Sequence, residues 1–364
     1  MRILSIAGAR PNFMKIAPLM AEFVRRPGIE CKLVHTGQHY DEAMSRVFFD
    51  ELGIPKPDVN LEVGSASHAL QTAEIMKRFE PVVLEFKPDG VLVVGDVNST
   101  IACGLVAVKL GVKLIHVEAG LRSFDRTMPE EINRLLTDAI SDMLFCTEES
   151  GVRNLRNEGV PAGKIHLVGN VMIDTLLRHR ERAEASTVLD QFKLSRGQYT
   201  ILTLHRPANV DSDGALTRIL DALEAIQKDW PIVFPIHPRT RQNLDRMGLS
   251  PRIKRMPGLR MVDPLGYLDF LKLMSSAKFV LTDSGGIQEE TTVLGVPCLT
   301  LRDNTERPVT VEMGTNQLVG REPERILAGY RRIVAAAPRT TSRVPPLWDG
   351  RAAQRIADVI EKSD

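Results

Sequence analysis

Three carboxylates stand at or near the ends of strand-like apolar runs in the first half of the sequence. Asp96 follows the run Val91–Val94, Glu118 follows the next such run, and Glu130 comes directly after a proline. Carboxylates crowded into one place raise one another's proton affinity, which suits them to general acid and base chemistry. Helix capping is the structural alternative for Asp96, and a stabilising helix N-terminus is the alternative for Glu130. Together, the three acids indicate a site for proton transfer.

A Ser-Gly-Gly turn at residues 284–286 carries the sharpest signal for anion binding. Ser284, Gly285 and Gly286 follow an apolar run and precede a helical pattern. Because the glycines lack side chains, their backbone N–H groups can approach a diphosphate at the positive end of the helix. Glu290 follows one turn later. There its carboxylate can reach the paired hydroxyls of a ribose.

Basic residues follow the first strand-like run. Arg10 and Lys15 come just after Gly8, in the opening turns of a helical pattern. The helix dipole favours acids at this end, so the two cations indicate an anion site, with two solvated surface residues as the alternative. Gly8 alone does not make the glycine-rich fingerprint of dinucleotide-binding folds. Arg134, four residues after Glu130, is a further candidate for substrate binding.

The second half of the sequence adds a histidine and two arginines at strand ends. His205 and Arg206 follow one apolar run, and Arg307 lies in a charged loop after another. Arg307 suits a phosphate or an active-site carboxylate, whereas a buried, hydrogen-bonded histidine is the alternative for His205. Phe270 lies in a segment that can seat a flat base, and helix core packing is its alternative.

The elements that must position these residues alternate between short apolar runs and longer segments of helical period. Parallel strands buried on both faces have this pattern, and the β-α-β-α order implies right-handed crossovers. The predicted strands are Ile3–Ala7, Lys32–His35, Val91–Val94, Lys113–Val117, Met143–Cys146, Ile165–Val168, Thr200–Leu204, Ile232–Ile236, Phe279–Thr282, Pro297–Leu301 and Gln317–Val319.

The pattern restarts after a charged helix, which indicates two domains. The sequence predicts an α/β fold with two doubly wound Rossmann-like domains that face each other across a cleft. Residues 1–172 form the first, with the acid and base carboxylates, and residues 173–349 form the second, with the nucleotide site. Residues 350–364 form a final helix that packs back on the first domain. In such folds ligands bind beyond the carboxyl ends of the strands.

Composition excludes several classes of function. The 364 residues carry 47 Lys and Arg against 46 Asp and Glu, so no overall charge attracts nucleic acid or an anionic membrane. The four cysteines form no C-x-x-C pair, and neither a secretory signal nor an uncharged stretch of membrane-spanning length occurs. We therefore expect a cytoplasmic protein that binds neither nucleic acid nor membrane.

Many of these segments occur in the same order in one known family. The chain resembles the non-hydrolysing UDP-N-acetylglucosamine 2-epimerases, which share the GT-B architecture. The segments that carry the resemblance are Gly8-Ala9-Arg10-Pro11, Lys15, Thr36-Gly37-Gln38-His39, Gly95-Asp96, His116-Val117-Glu118-Ala119-Gly120-Leu121-Arg122, Pro129-Glu130-Glu131, Gly169-Asn170, His205-Arg206, residues 282–290, Arg302-Asp303, Thr305-Glu306-Arg307-Pro308 and Gly314-Thr315.

The resemblance implies an isomerase that interconverts UDP-GlcNAc and UDP-ManNAc and feeds surface polysaccharide synthesis. Elimination of UDP would give a 2-acetamidoglucal, to which UDP adds back. The resemblance implies no cofactor and no metal, a UDP-sugar as partner and a homodimer. It also implies that Asp96, Glu118, Glu130 and His205 are catalytic, while the other candidates bind substrate.

Other activities use a similar nucleotide-sugar site. A 2-epimerase of a modified UDP-sugar, such as a diacetamido-uronic acid, would need an additional cation near C6. A GT-B glycosyltransferase would replace the elimination with transfer to an acceptor. A non-enzymatic nucleotide-sugar sensor would not need the three carboxylates Asp96, Glu118 and Glu130 together.

Overall fold

The chain folds into two compact units. The computed structural model describes residues 1–37, 49–336 and 343–363, so Gln38 and His39 lie outside the described residues. Unit 1 comprises Met1–Arg178 and Pro346–Asp364, and unit 2 comprises His179–Pro345.

Unit 1 is built on a parallel sheet of seven strands in the order β3-β2-β1-β4-β5-β6-β7. Every residue of β4 is buried, as expected for a strand covered on both faces. The strands are β1 (Arg2–Ala7), β2 (Glu30–His35), β3 (Val59–Asn60), β4 (Gly90–Val94), β5 (Lys113–Val117), β6 (Met143–Cys146) and β7 (Ile165–Leu167).

The helices of unit 1 connect these strands. The C-terminal helix Ala352–Glu361 packs on the first helix, and Arg26, just beyond the end of that first helix, donates a hydrogen bond to Glu361 at 2.8 Å. The helices are Arg10–Phe23, His68–Phe86, Asn98–Lys109, Pro129–Ile140, Glu149–Asn157, a 3-10 turn at Ala162–Lys164, Val171–Glu184, which continues into unit 2, and Ala352–Glu361.

Unit 2 has the same architecture, with a parallel sheet of six strands in the order β10-β9-β8-β11-β12-β13. Its strands are β8 (Thr200–Thr203), β9 (Ile232–Pro235), β10 (Leu259–Val262), β11 (Phe279–Thr282), β12 (Cys298–Thr300) and β13 (Asn316–Leu318). Its helices are Val188–Gln191, Pro207–Val210, Asp213–Ile226, Pro238–Arg246, Ser250–Lys254, Tyr267–Ser276, Gly285–Leu294, Val309–Glu312 and Pro323–Ala335.

Each sheet has one point at which the strand order reverses. In unit 1 the chain leaves β1 on one side toward β2 and returns to pair β4 on the other; in unit 2, β8 lies between β9 and β11 in the same way. Crossovers then run in opposite directions, so a crevice opens beyond the carboxyl ends of these central strands. The predicted fold of two doubly wound Rossmann-like units is confirmed.

Two strands in the described part of the chain were not predicted from the sequence. β3 and β10 each lie at one edge of their sheet. β3 is only two residues long, and β10 contains the exposed Arg260 with Leu259 as its one buried residue. Because β3 is short and both strands are partly exposed, neither has the continuous apolar run from which the other strands were predicted. No described helix combines the length and the apolar character that crossing a bilayer would require.

Candidate active site

Asn12 ties the turn after β1 to the end of β4. Its Oδ1 accepts hydrogen bonds from the backbone N–H groups of Gly8 (3.2 Å) and Ala9 (2.9 Å). Its Nδ2 donates to the carbonyl of Val94 at 3.0 Å. Because these two N–H groups are already occupied, an anion at this turn would depend on the side chains that follow.

Lys15 and Glu118 form a buried ion pair between Nζ and Oε2. Their side chains are 6% and 3% exposed, respectively. Gly95 makes room for the lysine, because a Cβ there would lie 2.7 Å from Lys15 Nζ. The fold thus brings a predicted cation and a predicted acid together at the reversal point of unit 1.

Glu118 has a left-handed backbone conformation with φ at 75°. This conformation costs a non-glycine residue roughly 1–3 kcal/mol and occurs preferentially at functional sites. The N–H groups of Glu118 and Ala119 both donate to the Phe145 carbonyl at 3.0 Å. Gly120 follows with φ at 78°, and a Cβ there would lie 2.8 Å from the Cα of Gly151. These backbone contacts therefore fix the segment that carries the Glu118 carboxylate.

Asp96 is held by Arg134, which the sequence predicted to bind substrate. Arg134 Nε lies 3.1 Å from Asp96 Oδ2, and Arg134 Nη1 lies 2.5 Å from Glu131 Oε2. Glu131 is buried and also accepts hydrogen bonds from the backbone N–H groups of Ser123 and Phe124. The guanidinium therefore connects a buried carboxylate to the partly exposed Asp96, and its contact with substrate stays a prediction.

Three further candidates lie on helices. Glu130 lies half-buried in the first turn of the helix Pro129–Ile140. Arg10 is the first residue of its helix, and its side chain lies outside the described part of the structure. Phe270 is half-buried on the helix Tyr267–Ser276.

His205 pairs with Asp283 at the reversal point of unit 2. The distance from His205 Nδ1 to Asp283 Oδ1 is 2.8 Å, and the histidine side chain is 49% exposed, so the alternative of a buried histidine is wrong. The carboxylate also accepts backbone N–H bonds from His205 and Arg206 and a side-chain bond from Asn209. Burial alone would raise the pKa of Asp283, but His205 and these donors hold that pKa below its usual range. A carboxylate on Nδ1 orients the ring and fixes its tautomer.

The Ser-Gly-Gly turn opens the helix Gly285–Leu294 at the same edge of the sheet. The first turn of that helix holds no acidic residue, so its positive end remains suited to an anion. A Cβ at Gly285 would lie 2.8 Å from both Arg307 Cζ and Glu306 Oε1. Only glycine therefore fits at this position without displacing the Arg307 and Glu306 side chains.

Arg307 lies under the turn between two buried carboxylates. Its Nη1 is 2.5 Å from Glu306 Oε1, and its Nε is 2.7 Å from Glu289 Oε1. Glu306 also pairs with Arg302 at 2.7 Å and with Arg206 at 3.7 Å. A phosphate contact of Arg307 stays a prediction, since the structure places it as a support of Gly285.

Glu290 is 3% exposed and accepts a hydrogen bond from the Tyr267 hydroxyl at 2.9 Å. Burial raises the pKa of Glu290 to about 7; the Tyr267 hydrogen bond opposes this shift and the Glu289 carboxylate adds to it. The Tyr267 ring packs edge-on against His179, with centroids 6.1 Å apart. Ribose binding by Glu290 stays a prediction.

Unit 2 also contains a surface cavity of about 720 Å³ at a distance from these residues. Lys278, Pro297 and Thr315 line it, and they precede β11, β12 and β13. Ser284 follows the opposite end of β11, so this cavity is not part of the candidate site. Within residues 1–37, 49–336 and 343–363, no group of three or more His, Cys, Asp or Glu side chains could hold a metal ion.

Sequence reasoning did not find the residues that hold the candidates in place. The sequence predicted no role for Asn12, Glu131 or Tyr267, and it did not predict the pair of Asp283 with His205. A usable signal existed for Asp283, because it follows the strand that neighbours β8 at the reversal point. The other partners come from helix faces that no local pattern identifies.

A family model for UDP-N-acetylglucosamine 2-epimerase matches residues 21–361. The chain belongs to this family. The predicted resemblance is thus confirmed, and it extends over nearly the whole chain.

Relatives in this family match the chain from end to end. A UDP-N-acetylglucosamine 2-epimerase homolog of Methanococcus maripaludis is 46% identical over 99% of each chain. The UDP-2,3-diacetamido-2,3-dideoxy-D-glucuronate 2-epimerase of Pseudomonas aeruginosa is 42% identical over 100% of each. The crystal structure of Methanocaldococcus jannaschii UDP-GlcNAc 2-epimerase in complex with UDP-GlcNAc and UDP is 41% identical, covers 100% of both chains and has a TM-score of 0.93.

Proposed function

We propose that this protein interconverts UDP-N-acetylglucosamine and UDP-N-acetylmannosamine by inverting C2 of the sugar. One observation carries the proposal: in each unit the predicted chemical groups converge at the reversal point of the sheet. Unit 1 places Lys15, Glu118 and Asp96 there, and unit 2 places His205 beside the helix that begins at Gly285.

The chemistry must begin with loss of UDP. The hydrogen on C2 is adjacent to no carbonyl, so its direct removal would be slow. As the C1–O bond breaks, its electron pair goes to UDP and C1 becomes electron-poor. A base then takes the C2 proton, and the C2–H electron pair forms the C1–C2 double bond of 2-acetamidoglucal. In the addition step a proton reaches C2 on the face opposite to the one from which the first proton left, and the UDP oxygen forms its bond to C1 again on its original face. The proposed stereochemistry is anti elimination followed by syn addition.

Unit 2 would stabilise the departing diphosphate. Charge that develops on a leaving group is best stabilised by donors fixed in advance. The N–H groups of Gly285 and Gly286, next to Ser284, supply such donors, and the Asp283-oriented His205 adds another. Arg206 and Arg307 add positive charge, Glu290 binds the ribose, and Phe270 lies against the base.

Unit 1 would supply the proton transfers. Asp96, Glu118 and Glu130 are the acid and base residues, with Arg134 fixing Asp96. The proton that leaves C2 is replaced by another, so the reaction has no net redox change and requires no redox cofactor. Exclusion of water from the glycal distinguishes this reaction from hydrolysis.

Deuterium incorporation tests the proposal directly. We would incubate the full chain with UDP-GlcNAc in deuterated water and follow the anomeric and C2 signals by NMR. The expected result is UDP-ManNAc with deuterium at C2. Conversion without label at C2 would exclude the elimination, and an unchanged substrate would exclude the activity.

A UDP-2,3-diacetamido-glucuronate is a second candidate substrate, because the relative named for it is 42% identical over the full length. The same assay with each nucleotide sugar separates the two. The substrate with the higher kcat/KM is the one for which the site is built.

The resemblance also supports a homodimer, and the cysteine usage supports a cytoplasmic location. Sedimentation equilibrium at several protein concentrations tests the first proposal. Imaging of a tagged full-length chain in its own cells tests the second.

A further inference from the structure

Asp138 forms a buried cluster with the segment that carries Glu118. It lies on the helix Pro129–Ile140 and is 2% exposed. Its carboxylate accepts hydrogen bonds from His116 Nδ1 at 2.6 Å, Arg122 Nη1 at 2.7 Å and the Gly120 N–H at 3.0 Å. One side chain thus contacts three points that bracket Glu118.

His116 extends the cluster toward Asp96. Its side chain is fully buried, and its Nε2 lies 2.9 Å from the carbonyl oxygen of Gly95, the residue before Asp96. The ring therefore joins the Asp138 carboxylate to the turn after β4. Through it, one cluster contacts the backbone next to both predicted acids.

The cluster is electrostatically balanced. Burial would raise the pKa of Asp138, but the contacts with His116 and Arg122 outweigh burial and hold that pKa below its usual range. Arg122 is anchored in turn by Glu158, with Nη2 2.6 Å from Oε2. Asp138 therefore keeps its charge at neutral pH and acts as a fixed acceptor.

We infer that Asp138 is a positioning residue for the acid and base groups of unit 1. Through Gly120 and Arg122 it holds Glu118 in its left-handed conformation against Lys15, and through His116 it fixes the turn that presents Asp96. The inference rests on the proposed function for its kinetic consequence, whereas its structural consequence can be measured without substrate.

Asp142 provides a control carboxylate at the other end of β5. Its Oδ2 accepts a hydrogen bond from the Leu114 N–H at 3.0 Å, and it lies 3.5 Å from Lys164. Like Asp138, it is a carboxylate that binds a backbone N–H beside β5. It contacts the opposite end of that strand, away from Glu118.

The experiment compares Asp138→Asn with Asp142→Asn in the full chain. For Asp138→Asn we expect kcat to fall about 10- to 100-fold while KM and the Kd for UDP remain near wild type. Hydrogen exchange without substrate should become faster at the Gly120 amide. Asp142→Asn should retain kcat and the slow exchange of that amide.

A double-mutant cycle separates positioning from mere stability. If Asp138 acts through Glu118, adding Asp138→Asn to Glu118→Gln should cost much less kcat than it costs the wild type. Fully additive losses would overturn the inference, as would wild-type kcat or unchanged Gly120 exchange in Asp138→Asn. Should Asp138→Asn fail to fold, His116→Gln serves the same comparison.

The two proposals fail differently. A wild-type chain that leaves the substrate unchanged refutes the proposed function, and hydrogen exchange at Gly120 then decides whether Asp138 holds this segment. An active wild type with an equally active Asp138→Asn variant refutes only the role of Asp138.

Discussion

His205 Nδ1 lies 2.8 Å from Asp283 Oδ1, and this pair joins the ends of β8 and β11. Unit 1 contains a comparable pair, in which His116 Nδ1 lies 2.6 Å from Asp138 Oδ1. The two differ in exposure: His205 is 49% exposed and His116 is fully buried. The exposed histidine is placed to touch a ligand, whereas the buried one can act only through its neighbours.

Replacement of Asp283 by Asn should lower kcat by roughly 100-fold, because an amide neither fixes the His205 tautomer nor stabilises its charged form. Steady-state rates and the UDP Kd would be measured together. His237, an exposed histidine that caps a helix in the same unit, is the control, and His237→Asn should leave the rate unchanged. Wild-type kcat in Asp283→Asn would remove the pair from the mechanism.

Asp96→Asn should abolish deuterium incorporation at C2 and leave UDP affinity nearly unchanged. The loss should reach about 10²- to 10⁴-fold, the usual contribution of a positioned acid or base. Asp89→Asn is the matched control. Asp89 lies just before β4, at the end of the strand opposite to Asp96, and its carboxylate accepts a hydrogen bond from the Arg2 N–H. Full exchange in Asp96→Asn would show that another residue moves the proton.

The free energy of unfolding should fall as pH rises from about 4.5 to above 7, because Glu290 has a pKa of about 7 when folded against 4.5 ordinarily. In that window the folded chain holds a proton that the unfolded chain releases. The shift corresponds to about 3 kcal/mol. Asp174, whose pKa burial raises to about 6, acts in the same direction, so the readout is the difference between wild type and Glu290→Gln in urea at pH 5 and 8. The same change in unfolding free energy between pH 5 and pH 8 in both proteins would contradict the prediction.

If Glu290 binds the ribose as proposed, binding of the nucleotide sugar should weaken as pH falls below about 7, since ribose hydroxyls would donate to the ionised form of Glu290. Tyr267→Phe removes a hydrogen bond that lowers this pKa and should move the binding profile to higher pH. Binding would be measured by calorimetry with UDP-GlcNAc and the Asp96→Asn variant. This variant avoids turnover, and UDP-GlcNAc has no terminal phosphate that titrates. A flat profile in the Tyr267-containing chain would mean that the ribose does not contact Glu290.

Gly285→Ala should weaken UDP binding and cost about 1–3 kcal/mol of stability, because its Cβ would press on the Arg307 and Glu306 pair. Gly214→Ala is the control. Gly214 is likewise in the first turn of a unit 2 helix, and a Cβ there would meet Arg218 Nη1 at 3.4 Å. That variant should bind UDP normally, and normal binding by Gly285→Ala would exclude the turn as the diphosphate site.

The sequence alone was sufficient for the fold class, the family and most of the central strands. Strands buried on both faces are continuous apolar runs, and the glycine turns and acids that follow them are adjacent in the chain. Local patterns of this kind do not depend on distant residues. The half-exposed edge strands β3 and β10 lack such a run and were missed.

The partners of the chemical groups became known only from the folded chain. His205 and Asp283 are 78 residues apart, and Asp96 and Arg134 are 38 apart. Lys15 and Glu118 meet only because β1, β4 and β5 are neighbours in one sheet. Side-chain types specify which chemistry is available, but parallel strand pairing brings distant residues to one edge and sets which acid faces which base.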